Sequence, residues 1–281
     1  MHLISHEKAR SVLRSYPFKK GQSELKKALA CLFQQDQPLA ITTVEGLKLS
    51  LKSYKYSTRI FWWFEEVEPP LQFYIRRFLP SGARVLDVGA SSGIIGLLAA
   101  RLKGAQVKLV EANPDTIATL KETLNLNPEL SSLCQLIGQP CALGPNDPRY
   151  QDSPGISIEQ IIRDAGWNHV DLLKVDVDGP DFDVLRSAGS CLRPSCIDAI
   201  FIETETAQPE DIIEVARLGY VPFGTKRTHL PELRRLWINQ TERTYYHAVD
   251  LNALTSKNVP SNVLFVDEKG PLHQHLRRWC G

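Results

Sequence analysis

The chain has 281 residues, 43% hydrophobic and 23% charged, with 33 Lys+Arg against 32 Asp+Glu for a formal net charge of +1. That composition is globular, which excludes disorder, collagen and a fibrous coil, and the length suits one large domain or two small ones. Balanced charge argues against a globally basic nucleic-acid binder and leaves only a local basic patch.

No run of 18 apolar residues occurs, and the opening MHLISHEKARSVLRSYPFKK has no apolar core of a secretory signal. The expectation is a cytoplasmic chain without a membrane span. Cys31, Cys134, Cys141, Cys191, Cys196 and Cys280 form no CxxC pair, as expected of reduced thiols.

Residues 1–80 read as an N-terminal accessory region of helix, hairpin and helix. Leu25, Leu29 and Leu32 have helical spacing after Ser23, a candidate N-cap. LAITTV and LKLSLKSY flank Glu45 and Gly46 as two strands of a hairpin, and a second helix runs from about Pro70 to Leu79. From residue 81 to 281 short apolar runs alternate with helical patterns. ARVLDVG, QVKLVEA, CQLIGQ, VDLLKVDV and IDAIFIET are strands; GIIGLLAARL, PDTIATLKETLNL, SIEQIIRDAG and PDFDVLRSAG are helices. Such alternation predicts an α/β fold, a parallel sheet covered on both faces. The helix PEDIIEVARLG and the strand YVPF follow, then an irregular basic stretch, the strand NVLFVD and a short basic tail.

In open α/β sheets ligands bind at the carboxyl ends of the strands, where the strand order reverses. That directs attention to Asp87-Val88-Gly89-Ala90-Ser91-Ser92-Gly93. The dinucleotide fingerprint GxGxxG is absent, because Ser91 stands where a pyrophosphate needs a glycine. Glu111, at the end of the second strand, either accepts two hydrogen bonds from a ribose diol or caps the helix that starts near Pro114. The first reading implies an adenosine-type ligand without a diphosphate.

VLDVGASSG, VEANP with a helix reaching LNLN, CALG, and DLLKVDVDGPDFDVLRSAG occur in that order. Together they resemble the FkbM family of S-adenosylmethionine-dependent methyltransferases, whose pattern runs as DVGANxG, EPNP, ALG and LKIDVEGxExxVLxGA. The likeness covers about residues 65 to 225, and the lysine-strand motif at 172–189 is its most particular part. It implies a class I methyltransferase, a Rossmann-like doubly wound sheet of seven strands with an antiparallel last strand, roofed by the region before residue 80.

The resemblance also implies S-adenosyl-L-methionine as cofactor and S-adenosyl-L-homocysteine as product. Asp87 and Gly89 would lie against the methionine part, with Ala90, Ser91 and Gly93 alongside. Glu111 would hold the ribose, Ala112 and Asn113 would flank the adenosine, and Cys141 and Ala142 would cover the adenine. Glu68 matches a family glutamate facing the cofactor. Ser91 replaces an asparagine, Ala112 a proline and Asp178 a glutamate; the last substitution touches the reacting region.

Asp176, Asp178, Asp181 and Asp183 invite a metal site. Against this, Pro180 suits the first helical position, Asp178 or Gly179 can cap, and acids in a first turn favour the helix dipole. The reading adopted is metal-free, with Asp176 and Asp178 as catalytic candidates and Asp176 also beside the cofactor. A hydroxyl acceptor must lose a proton, and Glu203, Glu205 and His247 are further candidate bases. Lys226, Arg227, His229, Arg234, Arg235 and Trp237, then His273, His275, Arg277, Arg278 and Trp279, are either a solvated face or a pocket for an anionic or phosphorylated acceptor. The function expected is O-methylation of a small molecule or saccharide. The alternatives are an N- or macromolecule-directed methyltransferase and a non-catalytic cofactor-binding partner protein.

Overall fold

The computed structural model describes residues 39–43, 45–51, 68–141, 155–177, 179–225 and 245–279. The expected helix at Ser23–Phe33, Cys31, Ala142, Asp178, the basic residues from Lys226 to Trp237, and Cys280 lie outside the described residues, as do the side chains of Arg278 and Trp279.

The first described elements are β1 (Leu39–Thr42) and β2 (Lys48–Leu51), paired antiparallel from Leu39↔Leu51 to Thr42↔Lys48. Next come α1 (Pro69–Arg77), β3 (Arg84–Val88), α2 (Ile94–Lys103), β4 (Gln106–Val110) and α3 (Pro114–Leu126). The chain continues through β5 (Cys134–Ile137), α4 (Ile158–Asp164), β6 (Leu172–Val175), α5 (Asp181–Arg186) and β7 (Ala199–Glu203). It closes with α6 (Pro209–Arg217), β8 (Tyr220–Thr225), β9 (Tyr246–Ala248), β10 (Asn262–Asp267) and α7 (Pro271–Trp279).

The main sheet has eight strands in the order β5-β4-β3-β6-β7-β10-β8-β9. β3 pairs in parallel with both β4 and β6, so the strand order reverses on either side of β3. β10 runs antiparallel to β7 and β8. This is the class I methyltransferase sheet with one extra edge strand, β9, antiparallel to β8. The sequence reading missed β9 because three residues are too few to show a period. It also left the last segment as a tail. Leu272 and Leu276, four apart, instead place α7 on the sheet, with Leu276 fully buried and Leu272 packed on the same core.

Two core clusters flank the sheet, one under α1, α2 and the hairpin, the other under α4, α5 and α6. The apolar runs explain this: in β6 and β10 successive residues are buried on both faces. Local chemistry sets the helix starts. Asn113 accepts from the N–H groups of Asp115 and Thr116 to cap α3, Ser157 accepts from Gln160 to cap α4, and Gln208 with Asp211 forms a capping box on α6.

β2 packs against α3. Asn127 acts as a strand neighbour: its amide nitrogen donates to the carbonyl of Lys48, and its side-chain oxygen accepts from the Lys48 N–H. Ser50 N–H donates to Thr123 Oγ1, whose hydroxyl donates back to the Ser50 carbonyl. Among the described residues no helix is long and apolar enough to cross a membrane.

Candidate functional site

β3 delivers Asp87 and the glycine loop, β4 delivers Glu111, β6 delivers Lys174 and Asp176, β7 delivers Glu203, and the start of α1 delivers Glu68. All gather at the carboxyl ends of the strands beside β3, where the order reverses.

The loop is fixed from two sides. Gly89 and Ala90 N–H groups both donate to the Val110 carbonyl, at 3.0 and 2.9 Å, and the Gly89 carbonyl accepts from Lys174 Nζ at 3.1 Å. Gly89 has φ +75, and a Cβ there would lie 1.7 Å from the backbone oxygen of Asp176. Ser91 also takes a left-handed φ of 50, a strain that concentrates at ligand-handling turns.

Glu111 is not the helix cap, since Asn113 fills that role. Its carboxylate accepts from Ser91 N–H through one oxygen and from Ala112 and Asn113 N–H through the other, each at 2.9 Å. This clamps the β3 loop to the β4 loop. Ser91, Ala112 and Asn113 are exposed around it, while Ala90 and Gly93 are buried behind. Cys141 turns inward: its thiol lies 4.0 Å from Ser187 Oγ, and burial pushes it up to about 12, so its side chain belongs to the core.

Asp87 is also enclosed. One oxygen accepts from Gly96 N–H at 3.0 Å, bracing the first turn of α2, and the other lies 3.6 Å from Lys174 Nζ without a hydrogen-bond partner. Burial raises this carboxyl, opposed by Lys174 and by the Gly96 N–H.

The sequence reading assigned no role to Lys174, which is the centre of the site. Its side chain is 4% exposed, and its ammonium lies 3.2 Å from Asp176, 3.6 Å from Asp87 and 3.9 Å from Glu68. Burial disfavours the charge, yet those three acids hold the lysine well above its ordinary value. A signal was available: a charged residue inside the fully buried strand LLKV must be paired.

Asp176 experiences burial, which raises it, but Lys174 and the hydrogen bonds from Glu68, Lys174 and Glu203 hold it below the usual carboxylate range. Glu68 goes the other way, to about 8, driven first by burial and then by Asp176 and Asp87 against Lys174. Glu203 rises to about 7 through burial and the nearby charges of Asp176, Glu205 and Asp181.

The remaining acids have separate partners. Asp181 accepts from Val177 N–H at 2.8 Å and Asp183 pairs with Arg186 at 3.0 Å. Pro180 is the N-cap of α5, which starts one residue later than expected, because Asp181 closes the turn before the helix. His247 packs against Gly224 in the β8–β9 ladder, and His273 is buried with Nδ1 2.8 Å from the Glu268 carbonyl. His169, Asp171 and Asp198 bring potential metal-ligating atoms within 4.8 Å of one another, but before β6 and β7, at the opposite end of the sheet.

A model of the FkbM methyltransferase domain matches residues 87–222, from the carboxyl end of β3 into β8. Those residues carry the FkbM methyltransferase domain. Among solved structures, this chain is similar to the FkbM methyltransferase of Methylobacillus flagellatus at 17% identity, covering 87% of this chain and 58% of that one, with a TM-score of 0.45. It is similar to the human methyltransferase 10 domain containing protein at 12% identity, covering 89% and 98%, with a TM-score of 0.45. The M. capricolum TrmK complex with S-adenosyl-homocysteine is 7% identical over 70% of this chain and 67% of that one, with a TM-score of 0.42. No match is found among curated proteins.

Proposed function

We propose that this methyltransferase uses S-adenosylmethionine to methylate a hydroxyl oxygen of a small molecule or saccharide, with residues 81–281 as the catalytic unit and 1–80 as an accessory region. The residues present fit that cofactor. Glu68 Oε2 and Asp87 Oδ1 are buried acceptor oxygens without hydrogen-bond partners, and the surrounding groups are acids. A donor set of this kind suits an ammonium and a sulfonium and repels a pyrophosphate. Bound there, the cofactor supplies an electrophilic methyl group. Glu111 holds the ribose beside Ala112 and Asn113, and Gly89 lets the loop backbone come close.

The observation that carries the O-methyl reading is the pair Asp176 and Glu203, which follow the paired residues Val175 and Ile202 at the ends of adjacent strands. A hydroxyl must give up its proton as it attacks, and a carboxylate within reach performs that step. Asp176, held anionic by Lys174, is the weaker base and orients the hydroxyl; Glu203, at about 7, takes the proton.

The test is transfer of a labelled methyl group to hydroxyl-bearing saccharides and small molecules, with RNA and amine acceptors in parallel. Asp176→Asn and Glu203→Gln should keep S-adenosylhomocysteine affinity and lose turnover ~100-fold or more. Labelling only of RNA or amines would overturn the hydroxyl assignment, and binding without transfer to any acceptor would favour a non-catalytic role.

A further inference from the structure

Three carboxyl groups, Glu68, Asp87 and Asp176, surround one ammonium, and a fourth, Glu203, ends the adjacent strand β7. Lys174 lies within 4 Å of the first three. Among the described residues Lys174 is the base in ion-pair contact with this group. One ammonium cannot balance three ionised carboxylates packed around it, so the cluster favours a proton on one of them.

The backbone of Glu68 marks the same residue independently. It holds a left-handed φ of 43 and ψ of 63 at the N-cap of α1, where its carboxylate could have capped the helix. It makes no capping bond. The side chain is 20% exposed, directed at Lys174 and Asp176, and leaves Oε2 without a hydrogen-bond partner. A strained residue that forgoes its local bond for a buried acidic cluster is organised toward a ligand.

We propose that Glu68 carries a proton in the free protein and surrenders it to solvent when the cationic cofactor enters, so that cofactor binding is coupled to proton release. The inference rests on the cofactor assignment above. The O–H bond of the Glu68 carboxyl breaks, the proton passes to buffer, and the carboxylate left behind balances the incoming positive charge. Asp87 is the poorer carrier, since the Gly96 N–H and Lys174 both favour its ionised form. The raised value of Glu68, about 8, agrees. Lys174, Asp87 and Asp176 act on Glu68 directly, and Glu205 and Asp181 act on the cluster through Glu203. The product, with a neutral sulfur, brings one positive charge fewer and should displace less of the proton.

Titration calorimetry of the full chain decides this, with S-adenosylmethionine and S-adenosylhomocysteine at pH 6.5 in two buffers of different ionisation enthalpy. S-adenosylmethionine should release close to one proton and S-adenosylhomocysteine clearly less. The apparent Kd for S-adenosylmethionine should fall about tenfold between pH 6 and 7. Glu68→Gln should remove most of the release and flatten that dependence. Heats independent of buffer in the wild-type protein, or undiminished release in a folded Glu68→Gln, would overturn the coupling while leaving the cofactor assignment intact. If neither compound binds, the cofactor assignment fails and takes the coupling with it. The wild-type comparison stands even if the variant does not fold.

Discussion

The Lys174 ammonium donates to the carbonyl of Gly89 at 3.1 Å, so a side chain rooted in β6 pins the turn that leaves β3. The same ammonium neutralises Asp87 and Asp176. Stability and site geometry therefore depend on one buried charge. Removing one partner of a buried ion pair typically costs 3–5 kcal/mol, because the other charge stays buried and unpaired. Lys174→Met should lose about 3–5 kcal/mol in urea unfolding at pH 7. The loss should be larger at pH 8 than at pH 5, where protonation relieves the acids. A loss below about 1 kcal/mol would show that the acids find neutralisation elsewhere.

Gly89→Ala should be far more damaging than Gly104→Ala, although both glycines have positive φ, +75 and +62. At Gly104 nothing lies within 4 Å of an added Cβ, so only backbone strain of about 1–3 kcal/mol is expected. At Gly89 the Cβ would sit 1.7 Å from a backbone oxygen, which no rotamer change relieves. Thermal melting and S-adenosylhomocysteine titration of both variants should separate them. Equal effects would contradict the close approach of the β3 and β6 loops.

Glu111→Ala deprives Ser91, Ala112 and Asn113 of their common acceptor. The two loops should drift apart and S-adenosylhomocysteine affinity should fall by about 1–3 kcal/mol, roughly 5- to 150-fold. Glu111→Gln retains one acceptor oxygen and should fall less. An unchanged Kd for Glu111→Ala would mean that the ribose is held by other groups.

Glu203 makes stability depend on pH in a defined direction. Its folded-state value, about 7, lies above its ordinary value of 4.5, so the folded chain holds the proton more tightly than the unfolded one. That contribution is fully present below pH 4.5 and is lost as the pH rises through about 7. Glu203→Gln cannot ionise, so its melting temperature relative to wild type should rise from pH 5 to pH 8. A difference that stays constant over this range would mean that Glu203 titrates near its ordinary value in the folded chain.

The alternation of apolar runs and helical patterns was enough to give the parallel strands and the helices between them, because each buried strand reads as a continuous apolar run and each helix as a 3.6-residue stripe. The glycine loop and Glu111 were legible for a similar reason: their placement follows from local spacing at the end of a strand. β9 and α7 were not, since β9 is held by its pairing to β8 and α7 by packing on the sheet.

Sequence alone could also count acids near the site, but it could not say which would be charged. Asp176 and Glu203 are similar residues at the ends of neighbouring strands, yet Lys174 holds the first down while burial and the charge of the first push the second up. Cys141 likewise looks like a loop residue in sequence and becomes core through Ser187. Local backbone preference and hydrophobic period are properties of short segments and survive in the linear chain. Charge state depends on distances and burial among residues up to 135 positions apart, from Glu68 to Glu203, and only the folded sheet sets those.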